Sequence, residues 1–121
     1  MSEMKFSVDG SEFSLSTTTV DGKEIESYEG QIVHTCILNT KAGTNCPMGG
    51  DTGHGGRTFF ELEDEGSTDL RVKVDGEEFT SPSKVRIVLG GDSEELVFKK
   101  ALKSALKALR KTENTSKRSG N

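Results

Sequence analysis

The side chains best suited to chemistry in this 121-residue chain fall in one short stretch. It reads Asn45-Cys46-Pro47-Met48-Gly49-Gly50-Asp51-Thr52-Gly53-His54-Gly55-Gly56-Arg57-Thr58, with five glycines in the eight residues 49–56. Ordering so many glycines costs conformational entropy, so such a segment is either a long flexible hairpin loop or a backbone shaped to approach a ligand closely. Arg57 offers a planar guanidinium matched to phosphate, and Thr52 and Thr58 offer hydroxyls. Asp51 or His54 can read a sugar or a base. These five residues, Asp51, Thr52, His54, Arg57 and Thr58, are the predicted ligand-binding set, for an anionic small molecule of nucleotide type. The P-loop pattern G-x-x-x-x-G-K-[ST] is absent, and the element expected next is a strand, so no helix dipole is expected to assist.

A metal set overlaps this one. Both histidines and both cysteines of the chain lie between residues 34 and 54. If His34 and Cys36 share one face of a strand, a returning loop can add Cys46 and His54 to complete a tetrahedral S2N2 zinc site. None of the short C-x2-C spacings of common zinc modules is present, and His34 and Cys36 equally suit core positions beside Ile32 and Leu38. Catalytic pairings are also available on paper, with Asp51 and His54 as acid and base, or Cys46 or Thr52 as a nucleophile beside His54. A flexible loop lacks the supporting hydrogen bonds a catalytic histidine needs, so the expectation is a non-enzymatic protein with no cofactor.

The charge distribution offers a rival to small-molecule binding. Residues 1–98 carry 19 acidic and 8 basic side chains, whereas residues 99–121 carry 8 basic and 1 acidic. The acidic run Glu61, Glu63, Asp64, Glu65 and Asp69 is either a solvated strand end or a surface that occupies the basic face of another protein. In the second case the chain is a protein-interaction inhibitor that blocks a host protein. Nucleic acid is not an expected partner, because aromatic side chains are sparse and not interleaved with the basic ones.

Positioning these groups requires a scaffold, and the sequence describes one. The phrases Val8-Asp9-Gly10, Val20-Asp21-Gly22 and Val74-Asp75-Gly76 each place Asp-Gly between apolar residues, the signature of a type I′ hairpin turn. Alternating segments around them predict seven or eight short strands, among them one from Ile32 to Leu38 with apolar residues on both faces. One helix, about 92–111, is expected to close the fold. Asp92 is its expected N-cap and Glu95 its capping-box partner, while Phe98, Ala101, Leu102, Ala105, Leu106 and Leu109 form an apolar stripe expected to pack on the sheet. Residues 112–121 read as a disordered polar tail. The class is therefore α+β: one domain of mainly antiparallel sheet, 1–111, with a C-terminal amphipathic helix.

Val, Ile, Leu and Phe together number 27. So thin a core predicts a homo-oligomer. The opening Met1-Ser-Glu-Met-Lys-Phe lacks a signal-peptide pattern and no apolar run can cross a bilayer, so a cytoplasmic protein with reduced cysteines and no membrane partner is expected.

The segment Gly49-Gly50-Asp51-Thr52-Gly53-His54-Gly55-Gly56-Arg57-Thr58, followed by an acidic strand and the helix start Gly91-Asp92-Ser93-Glu94, resembles small uncharacterised proteins of bacteriophages and prophages. The resemblance implies a class rather than residue roles. Small phage accessory proteins act by binding, either blocking a host defence protein, as anti-CRISPR proteins do, or sequestering a nucleotide signal.

Overall fold

The computed structural model describes residues 4–46 and 56–118, with side chains as far as Glu113. Its eight strands are β1 (Lys5–Val8), β2 (Ser11–Val20), β3 (Lys23–Val33), β4 (Ile37–Thr44), β5 (Arg57–Gly66), β6 (Arg71–Val74), β7 (Glu77–Thr80) and β8 (Lys84–Gly90), and a single helix α1 (Asp92–Arg118) follows. A six-stranded antiparallel sheet has the order β1-β2-β3-β4-β5-β8, and β6 with β7 forms a separate hairpin inserted between β5 and β8. The α+β class read from the sequence is the architecture found.

All three Asp-Gly pairs turn hairpins. They join β1 to β2, β2 to β3 and β6 to β7, with both residues of each pair at positive φ, as the type I′ turn demands. Gly22, at φ 77°, can take this conformation without a Cβ clash. Gly22→Ala is expected to cost about 1–2 kcal/mol of stability through that clash, read as a melting temperature lower by several degrees.

The third main-sheet turn, between β3 and β4, departs from expectation. Ile32 to Leu38 is not one strand: β3 ends at Val33, the chain bends through His34-Thr35-Cys36, and β4 returns with Ile32 opposite Leu38 and Val33 opposite Ile37. The His34 N–H donates to the Cys36 carbonyl at 2.9 Å, closing this turn. The helix differs in two ways. The Glu95 N–H donates to the Gly91 carbonyl, so Gly91 rather than Asp92 is the capping residue, with Asp92, Glu94 and Glu95 in the first turn. The helix also continues through residues 112–118, which the sequence reading had assigned to the tail.

Register divides the sheet into two faces. One carries the buried cluster Val20, Ile25 and Phe59. Ile25 and Phe59 lie on strands separated by β4, and Gly43 sits between their neighbours on the same face, paired with Ser27 and Phe59. A Cβ at Gly43 would collide with the Glu26 carbonyl and Ser27, so its absence lets the β2–β3 hairpin curl toward Phe59. Beside this cluster, Ser27 shares hydrogen bonds with Thr18 at 2.9 Å and Ser16 at 3.1 Å.

Farther along the same face, Glu29, Lys41, Glu61 and Arg86 stand side by side across β3, β4, β5 and β8. Glu61 is 2% exposed, with Arg86 Nε at 2.8 Å and Lys84 Nζ at 3.6 Å. Burial pushes the Glu61 pKa up, but the Arg86 hydrogen bond and the charges of Arg86, Lys84 and Lys41 outweigh it, leaving the carboxyl below its ordinary range. The second face bears Phe6, Phe13, Tyr28, Ala42, Phe60 and Ile87. The start of α1 meets it through Phe98 against Phe60, with ring centroids 6.2 Å apart.

Candidate functional site

The glycine-rich segment connects β4 to β5, and its two ends are fixed to each other. The Asn45 N–H donates to the Arg57 carbonyl at 3.1 Å, and the Arg57 N–H donates to the Asn45 side-chain oxygen at 2.7 Å. Asp51, Thr52 and His54 lie outside the described residues. The base from which their segment leaves is a well-formed strand pair ending in Thr44 opposite Thr58.

Arg57 and Thr58 are neighbours on β5, so strand alternation sends their side chains to opposite faces. The sequence reading placed both in one cradle; the structure does not bring them together. Thr58 is buried, sharing a 2.8 Å hydrogen bond with Thr44, and the Cys46 sulfur lies 3.9 Å from its hydroxyl. Arg57 stays partly exposed, its Nε donating to Asp21 Oδ2 at 2.8 Å and its terminal nitrogen to the Gly56 carbonyl at 3.0 Å. Asp21 belongs to the β2–β3 turn and is well exposed. The side chain expected to hold an anion thus already grips a carboxylate oxygen at the mouth of the connection.

The start of α1 adjoins this base, which the sequence reading did not anticipate. The Gly91 N–H donates to the Gly56 carbonyl at 3.0 Å, and the Cys46 thiol donates to the Gly91 carbonyl at 3.6 Å. Asp92, Glu94 and Glu95 already complement the positive end of the dipole, so the helix start adds little attraction for a further anion. On the Thr58 side a crevice of about 210 Å3 opens between the sheet and α1, lined by Ala42, Thr44, Thr58, Phe98 and Leu102 among others. That is smaller than the ~300–1,000 Å3 of typical ligand pockets.

The four-residue zinc set does not assemble. Cys36 precedes β4 and Cys46 follows it, and this eight-residue strand, at ~3.3 Å per residue, puts roughly 25 Å between them. No metal-ligating cluster forms among the described residues. The acidic run is also largely engaged within the chain. Glu61 and Glu63 pair with Lys84, and Asp64 accepts from the Gly66 and Thr68 N–H groups at 3.0 and 3.2 Å. Asp69 pairs with Arg71, and Glu65 accepts from Gln31. The sequence did signal this network: Lys84 and Arg86 alternate on a strand as Glu61 and Glu63 do, but their pairing needed the register.

No helix among the described residues is long and apolar enough to cross a membrane. No family model, curated protein or solved structure matches the chain.

Proposed function

We propose that this chain is a small non-enzymatic binding protein that takes an anionic, nucleotide-type molecule at the mouth of the β4–β5 connection, with Arg57 supplying the charge. The observation that carries the reading is the Arg57–Asp21 contact. The Arg57 main chain is tied to Asn45, and its guanidinium, which also donates to the Gly56 carbonyl, holds an exposed carboxylate oxygen; a phosphate oxygen suits the same donor. With the resemblance of the loop to phage proteins, the biological reading is a counter-defence protein that sequesters a nucleotide signal. The rival reading, an inhibitor that covers a host protein with its acidic surface, is weakened because internal pairs engage the acidic side chains it relies on.

Two substitutions distinguish a ligand-holding Arg57 from one that only clasps the β2–β3 turn. Thermal-shift and calorimetric titration with mono-, di- and cyclic nucleotides is expected to find a ligand for the wild type. Arg57→Ala should weaken it by about 10–100-fold, the equivalent of one lost charge-assisted hydrogen bond of ~1.5–3 kcal/mol. Asp21→Asn removes the competing carboxylate and should strengthen binding. A clasp alone predicts that both variants lose the same stability and that no nucleotide shifts the melting temperature of any of the three proteins.

A further inference from the structure

The helix stripe expected to fill the core is largely uncovered. Leu102, Leu106 and Leu109 are 42%, 49% and 68% exposed. On the second sheet face Phe6 and Ile87 are likewise exposed, together with Ala42. Two apolar surfaces are therefore open on one chain, and their flanking charges are opposite. Glu24 and Glu26 are exposed on that sheet face, in register with Thr19 and Thr17. Lys100, Lys103, Lys107 and Arg110 are exposed beside the leucines of α1.

We propose that two copies of this chain form a reciprocal dimer in which α1 of each lies on the second sheet face of the other, Leu102, Leu106 and Leu109 covering the apolar residues and the helix lysines meeting Glu24 and Glu26. A second copy is the fitting occupant because one two-fold operation covers both open surfaces at once and matches a basic helix to an acidic body. This assembly does not depend on ligand binding at Arg57.

Sedimentation equilibrium of the full chain at 1–100 μM decides it. The expected mass is twice the 13.1 kDa of one chain, with dissociation at least tenfold stronger in high salt than in low. Leu102→Glu with Leu106→Glu, at exposed helix positions, should give a monomer whose circular dichroism still shows the sheet and helix. Glu24→Lys with Glu26→Lys should weaken the dimer at least tenfold, and reversing Lys103 and Lys107 to Glu in the same chain should restore it. A wild-type mass of one chain across the range overturns the proposal. So does a dimer lost with the leucines but unmoved, within twofold, by the Glu24 and Glu26 reversals, since helices paired only with each other would behave that way.

Discussion

Phe59→Ala is expected to cost about 3–5 kcal/mol, the usual penalty for deleting a buried aromatic ring together with the cavity it leaves. Phe59 is fully buried and joins Val20 and Ile25 in the buried apolar cluster of the described residues. Domains of this size have only about 5–15 kcal/mol of stability in total. The variant should therefore unfold at a much lower urea concentration, or fail to fold at 37 °C. Phe60→Ala, one residue along on the other face and only half-buried, is the matched control. It should cost less as a monomer, because less of its ring leaves water. Equal losses for the two would mean that the curl of the β2–β3 hairpin over Phe59 is not where the stability lies.

The second large effect concerns the Glu29–Lys41–Glu61–Arg86 row. Arg86→Met removes the hydrogen bond to Glu61 and leaves that carboxylate buried with Lys84 as its remaining close cation. Breaking a buried pair from one side costs about 3–5 kcal/mol, and the surviving Lys84 should reduce this to about 2–3 kcal/mol at neutral pH. The pH dependence has a definite sign. The folded-state pKa of Glu61 is depressed, so its contribution is present above the unfolded carboxylate value and is lost as pH falls through the folded value. Without Arg86 the burial effect is no longer outweighed to the same degree, and the variant has less to lose on acidification. Urea unfolding at pH 7 and at pH 3 should therefore show the gap between wild type and Arg86→Met narrowing at the lower pH. A gap that widens would contradict the assignment of Glu61 as the charged, Arg86-held member of the row.

The turns were legible because Asp-Gly is a local signal, and positive φ at both positions leaves few alternatives. The β3–β4 turn was not. His34-Thr35-Cys36 contains no glycine, proline or asparagine, and the alternation of Ile32 and Val33 runs on smoothly into Ile37 and Leu38. Reading it as one strand is what put His34 and Cys36 on a common face and generated the zinc set.

The helix was legible as a helix but not in its destination. Its stripe shows that one side seeks an apolar surface and cannot say whether that surface belongs to the same chain. Its end was missed because polarity was taken for termination, although no glycine or proline intervenes between Asp92 and Arg118.

At the site, the glycine content marked the connection, and Arg57 opens the strand that follows it. The opposite facing of Arg57 and Thr58 follows from strand alternation and could have been read once β5 was placed. The approach of Asp21 and Gly91 could not, because it depends on the curl of the β2–β3 hairpin and on how α1 leaves β8.

Native mass spectrometry of the full chain purified from its source cells decides whether the Arg57 site holds a nucleotide. An added mass of nucleotide size is expected on the wild-type protein, absent from Arg57→Ala and retained by Asp21→Asn. Protein that carries no small molecule, and whose melting temperature no nucleotide raises, would contradict it.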